Sequence, residues 1–80
     1  MAKYDPLLHH LISTSEPVLT LRFTEIERII DADLPPSARR HPAWWANATS
    51  SHPYSDAWME AGYRTEDLDL NAGIITFRRS

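Results

Sequence analysis

The chain has 80 residues, of which 42% are hydrophobic and 24% are charged, and its formal net charge is −3 at pH 7. This length predicts one small domain over residues 1–80. The negative charge argues against indiscriminate nucleic-acid binding, which draws most of its affinity from phosphate neutralisation. The chain has no cysteine, which excludes disulfide bonds and thiolate zinc sites.

Residues 1–6 lack the apolar run of a signal peptide. No stretch of the sequence approaches the roughly 18 apolar residues that a membrane span requires. We therefore expect a cytoplasmic protein that does not contact a membrane.

The first predicted elements are a helix, a strand and a second helix. Asp5 is expected to be the N-cap of the first helix, with Pro6 at its first position. Residues 18–23 alternate in polarity and predict a strand. Thr24 and Glu27 have the spacing of a capping box, so they predict the start of the second helix. That helix is expected to end near Asp33, ahead of two prolines.

The second half of the chain predicts further helical structure and a hairpin. Residues 36–40 are expected to form a short helical turn, whereas residues 41–47 give no clear assignment. A third main helix is expected from an N-cap at Ser55 to Tyr63, with Gly62 as its left-handed C-cap. Residues 65–70 and 74–79 flank a three-residue turn that contains Gly73.

Within the hairpin, Leu68 and Leu70 form one apolar face, which Ile75 and Phe77 are expected to oppose across the strands. The element order is therefore α-β-α-α-β-β, with three main helices and a small antiparallel sheet. We predict an α+β fold that resembles a winged helix-turn-helix. In such a domain the first strand joins the terminal hairpin, and the hairpin is the wing.

The most informative segment for function is residues 35–53, which contain two arginines, two histidines and no acidic residue. Arginine binds phosphate or guanine edges, asparagine can read adenine, and hydroxyl groups can position the DNA backbone. Arginines on the hairpin would contact phosphates. The predicted DNA-binding residues are Arg39, Arg40, His41, Trp45, Asn47, Ser50, Ser51, His52, Arg78 and Arg79.

A structural interpretation of the same residues stays open. Trp44 and Trp45 are adjacent and cannot share a helix face, so one is expected in the core and the other partly exposed. Arg39 could stack on one of the indoles. The hairpin arginines could instead pair across the strands with Glu66, Asp67 or Asp69.

No pattern in the sequence indicates catalysis. The histidines lack zinc-ligand spacing, two glycines cannot build a phosphate loop, and no nucleophile elbow is present. We therefore expect neither an enzyme nor a bound metal or cofactor.

Several blocks resemble a small bacterial domain family that is largely uncharacterised and occurs alone or inside larger proteins. The most specific blocks are Pro35-Pro36-Ser37-Ala38-Arg39 and Trp44-Trp45-Ala46-Asn47. Further blocks are Ala57-Trp58-Met59-Glu60-Ala61-Gly62-Tyr63 and Thr76-Phe77-Arg78-Arg79. The resemblance covers residues 4–79 and implies a bacterial, cytoplasmic protein, but no activity. Ala61-Gly62-Tyr63 before a hairpin is also similar to the end of winged-helix modules attached to restriction endonucleases.

The leading hypothesis is a non-catalytic domain that binds double-stranded DNA, in transcription regulation or in defence against foreign DNA. The alternative is a protein-interaction module or small homodimeric adaptor without nucleic-acid binding. The acidic balance and an exposed tryptophan would favour the alternative.

Overall fold

The computed structural model describes residues 3–47 and 57–79. Its elements are α1 (Asp5–Ser13), β1 (Val18–Arg22), α2 (Phe23–Ile30), α3 (Pro36–Arg40), a 3₁₀ turn (Pro42–Trp45), β2 (Tyr63–Asp69) and β3 (Ile74–Arg79). Residues 57–59 are helical. The predicted α+β class is confirmed.

The three strands form an antiparallel sheet in the order β1-β3-β2. In β1, Leu19 lies opposite Phe77 of β3, and Leu21 lies opposite Ile75. Ile75 and Phe77 are fully buried and belong to the same core as the apolar residues of α1 and α2. The helices therefore cover one face of the sheet, because the alternation of the strands places their apolar side chains on that face.

The prediction that Leu68 and Leu70 oppose Ile75 and Phe77 is wrong. Phe77 lies opposite Thr65, and the register between β2 and β3 shifts between Glu66 and Asp69. Asp67, inside this bulge, has a φ of 51°. The extra residue changes which side chains face the core, so Tyr63 packs inward before the bulge and Leu68 and Leu70 pack against the core after it.

Helix α2 begins two residues earlier than the capping box predicts. Arg22 is its N-cap, and the Arg22 N–H donates to the Glu25 carboxylate at 3.0 Å. The predicted Thr24–Glu27 capping box is therefore wrong, because Phe23 is drawn into the core as the first helical residue. This shift leaves the Glu27 carboxylate available for other partners.

The ends of the helices differ from the sequence prediction in two further places. Tyr4, not Asp5, is the N-cap of α1, and Asp5 lies in the first turn. Helix α2 ends at Ile30 rather than near Asp33, because Asp31 takes the left-handed conformation with a φ of 54°. Aspartate tolerates this conformation better than most residues, so the helix ends before Pro35 and Pro36 are reached.

The third main helix is described only in part. Ala57 and Trp58 are buried, but Tyr63 is the first residue of β2, so the predicted helix end at Tyr63 is wrong. The predicted N-cap, Ser55, lies outside the described residues. Gly62 has a φ of 83°, and its N–H donates to the Met59 carbonyl at 3.0 Å. The prediction of a left-handed glycine is therefore confirmed.

Within residues 3–47 and 57–79, every helix is too short or too polar to cross a membrane.

Replacing Gly62 by alanine should lower the free energy of unfolding by about 1 kcal/mol, because a Cβ is disfavoured in the left-handed conformation. An added Cβ would meet no atom within 4 Å, so the cost is conformational rather than steric. Gly62→Asn is the matched control and should lose less, since asparagine tolerates this conformation better. Urea denaturation compares the two, and equal losses would contradict the explanation.

Candidate functional site

Both tryptophans of residues 35–53, Trp44 and Trp45, lie in the core. Trp44 is 8% exposed and Trp45 is 2% exposed, so the expectation that one of them is partly exposed is wrong. Trp44 packs edge-on against Tyr4, with ring centroids 6.0 Å apart. Trp45 stacks on Phe23 at 5.0 Å and on Trp58 at 5.8 Å. Neighbours on different sides of the short 3₁₀ turn thus bury both indoles.

The polar group of Trp45 is also used inside the molecule. Its indole N–H donates to the Ala38 carbonyl of α3 at 2.7 Å. Ala38 is completely buried, so this bond fixes α3 against the aromatic stack. Trp45 therefore offers neither an exposed ring nor a free donor to a DNA base.

Asn47 joins three parts of the fold. Its side-chain carbonyl accepts from the Trp58 indole N–H at 3.1 Å and from the Thr65 backbone N–H at 2.8 Å. Its amide nitrogen donates to the Thr65 carbonyl at 3.1 Å. The amide thus pairs with the edge of β2 as a further strand would, and it holds the helix of Trp58 against that strand. The structure gives Asn47 a structural position instead of the exposed position that base reading requires.

Arg39 forms an ion pair with Glu27, which the sequence had placed in a capping box with Thr24. The guanidinium lies 2.8 Å from the Glu27 carboxylate, with the two side chains 43% and 18% exposed. Arg39 also lies over the Phe23 ring, 5.7 Å from its centroid. The other Glu27 oxygen accepts from the Leu34 N–H at 2.8 Å. Arg39 and Glu27 therefore join α2, the following loop and α3.

These contacts determine the protonation of Glu27. The hydrogen bond from the Leu34 N–H, together with the Arg39 guanidinium, holds the pKa of the Glu27 carboxyl below its usual value, although burial acts in the opposite direction. The carboxylate is therefore ionised over a wider pH range in the folded protein than in the unfolded chain.

Of the other predicted DNA contacts in residues 35–53, some lie on the surface and some lie outside the described residues. Arg40 and His41, at the end of α3, are exposed. Arg40 lines a shallow cleft that also contains Arg39, Glu27 and Asp33. The predicted contacts Ser50, Ser51 and His52 lie outside the described residues.

The hairpin arginines have separate environments. Arg78 pairs with Glu66 on the exposed face of the sheet, as the structural interpretation anticipated. Arg64 lies directly opposite Arg78 in the register. Arg79 donates to the Thr14 carbonyl and to the Tyr63 hydroxyl, both at 3.1 Å. Arg79 therefore connects the strands to the loop after α1.

The sequence interpretation missed the structural importance of Thr65 and Tyr63. The Thr65 hydroxyl donates to the Trp45 carbonyl, and the Tyr63 hydroxyl donates to the Glu16 carbonyl at 2.6 Å. In the sequence, only the alternation of strand residues could have indicated these roles of Thr65 and Tyr63. The bulge in β2 interrupts that alternation.

Across residues 3–47 and 57–79, no three His, Asp or Glu side chains cluster so that they could hold a metal ion. In the same residues, every buried side-chain nitrogen and oxygen has a hydrogen-bond partner. The polar groups of the interior thus bond to one another.

Residues 4–80 match the family described as Domain of unknown function (DUF7662). The chain belongs to the DUF7662 family. The matched range includes the aromatic stack, Asn47 and the whole sheet of this DUF7662 domain. Neither the curated proteins nor the solved structures contain a match to it.

Substituting Asn47 by alanine should lower the free energy of unfolding by about 2–4 kcal/mol, because the Trp58 and Thr65 N–H groups would lose their acceptor inside the fold. Asn47→Asp is the informative control. It keeps the acceptor but turns an oxygen toward the Thr65 carbonyl, so it should also destabilise. Chemical denaturation measures both, and wild-type stability of Asn47→Ala would contradict the structural role.

The lowered pKa of Glu27 predicts a loss of stability in acid. Its ionised form stabilises the fold fully above the ordinary carboxyl value of 4.5, and this contribution disappears as the pH falls through the lower folded-state pKa. Glu27→Gln should therefore cost about 1 kcal/mol near neutral pH, and the stabilities should converge in acid. Denaturation at several pH values checks this.

Glu60→Gln, which removes an exposed carboxylate, is the matched control and should keep the wild-type acid dependence. If both substitutions changed the pH dependence of stability equally, the loss of stability in acid could not be assigned to Glu27.

Proposed function

We propose that this DUF7662 domain binds double-stranded DNA without catalysing a reaction, with its elements used as in a winged helix. The strand order β1-β3-β2 carries the proposal. The first strand adds to β3 of the terminal hairpin, and helical residues 57–59 come directly before β2. In helix-turn-helix domains the second helix of the motif enters the major groove. Here we assign that position to the helix before β2.

The proposed contact surface is smaller than the sequence alone predicts. It contains the exposed Arg40 and His41 and the hairpin residue Arg78. Ser50, Ser51 and His52 belong to it by sequence, since they precede the assigned helix. We leave out Trp45 and Asn47, because their polar groups bond inside the fold.

The ion pair of Arg78 is compatible with a phosphate contact. The Arg78 and Glu66 side chains are 52% and 33% exposed. An exposed ion pair contributes only about 0–1 kcal/mol, so a phosphate can replace the carboxylate at small cost. Arg39 is 43% exposed, but its partner Glu27 is only 18% exposed and also accepts from Leu34, so we give Arg39 a supporting position. Arg79 is bound to Tyr63 and Thr14, and we give it a supporting position beside Arg78.

The net charge of −3 favours selective over general DNA binding. Asp67 and Asp69 lie on β2 next to the hairpin turn and would repel phosphates there. Affinity must then come from contacts at a matching site, which suits transcription regulation or the recognition of foreign DNA.

Fluorescence anisotropy with a pool of duplexes of about 25 base pairs, at roughly 50 mM salt, should detect micromolar or tighter binding. The affinity should fall steeply with added salt. Arg40→Ala and Arg78→Ala should each reduce the slope of log affinity against log salt by about 1, because each removes one phosphate contact.

Arg28→Ala is the matched control. It removes the same charge from a cleft lined by Glu27, Asp31 and Asp33, and the slope should stay at the wild-type value. Absence of binding to the whole pool at low salt would contradict the proposal, and so would equal effects of all three substitutions.

A further inference from the structure

Strand β1 forms one edge of the sheet. Among the described elements, only β3 and the directly following α2 make extensive contact with it. Val18, Thr20 and Arg22 are exposed, and Val18 is one of two large hydrophobic residues that the described surface exposes. An uncovered edge strand presents unpaired N–H and C=O groups that another strand can bind.

The hydrogen bonds to β3 determine which groups point outward. The Arg79 N–H donates to the Pro17 carbonyl, and the Phe23 N–H donates to the Gly73 carbonyl, both at 2.8 Å. Odd-numbered residues of β1 therefore bond to β3, and Val18 and Thr20 direct their backbone groups away from it.

Proline often protects an edge strand because it has no N–H. Pro17 precedes β1, but its carbonyl bonds to β3, so the missing N–H also falls on the β3 side. Pro17 thus leaves the outward groups of Val18 and Thr20 unobstructed. The outer edge of β1 is competent for pairing.

We propose that β1 binds β1 of a second copy of this chain in antiparallel orientation, centred on Leu19. Val18 of each copy then exchanges backbone hydrogen bonds with Thr20 of the other, and the two sheets become continuous. This register does not need the Arg22 N–H, which the Glu25 carboxylate already occupies.

Charge complementarity favours a second copy as the occupant. Glu16 lies just before β1 and Arg22 ends it, and both are exposed. Antiparallel pairing brings Glu16 of one copy to the end of the strand at which Arg22 of the other lies. The same pairing occurs twice in a symmetric dimer, because both copies use the same surface.

Sedimentation equilibrium of the full chain without DNA tests the dimer, so its outcome is independent of the proposed DNA binding. Wild-type protein should show a monomer–dimer equilibrium that depends on concentration. Glu16→Arg and Arg22→Glu should each raise the dimer dissociation constant about tenfold, because each places like charges together at both ends of the interface. The double reversal, Glu16→Arg with Arg22→Glu, should restore dimerisation.

Circular dichroism of each variant verifies that the monomer is folded. Rescue by the double reversal supports the β1 interface, since a merely unfolded single variant would not be rescued. A wild-type monomer at all concentrations would overturn the proposal. So would a dimer that both single reversals leave unchanged, because a different surface would then hold it together.

Discussion

The stacking of Phe23, Trp45 and Trp58 is the interaction on which the rest of the fold depends. These rings come from the start of α2, the 3₁₀ turn and helical residues 57–59, which are far apart in the sequence. An 80-residue chain has a small core, so three large side chains supply a considerable part of the buried apolar area. Each indole N–H of the stack then needs a hydrogen-bond acceptor.

Those partners explain why residues 35–53 are rich in basic and aromatic side chains. The Trp45 N–H bonds to Ala38, and the Trp58 N–H bonds to Asn47. Arg39 lies over Phe23 and pairs with Glu27. A basic, aromatic sequence of this kind resembles a nucleic-acid surface, yet much of it satisfies the hydrogen bonds of a small core. Exposure, more than residue type, separates Arg40 and His41 from Trp44, Trp45 and Asn47.

The two proposals use different parts of the molecule. DNA binding is assigned to the end of α3, to the segment and helix between it and β2, and to Arg78, whereas dimerisation is assigned to the outer edge of β1. The strand order β1-β3-β2 is common to both, because it attaches the first strand to the hairpin and leaves its other edge without a neighbouring strand in residues 3–47 and 57–79. A dimer through β1 would place two copies of the proposed DNA surface on one assembly, which would increase affinity for paired sites.

The sequence by itself determined the α+β class, the helical turn at residues 36–40, the hairpin and the left-handed Gly62. These features depend on local alternation, proline geometry and the conformational freedom of glycine, all of which act between near neighbours. Only the tertiary structure decided that both adjacent tryptophans are buried, that Glu27 pairs with Arg39, and that the bulge at Asp67 shifts the register so that Thr65 lies opposite Phe77. Each of those outcomes depends on contacts between residues distant in the chain, and the periodicity of a single element carries no information about them.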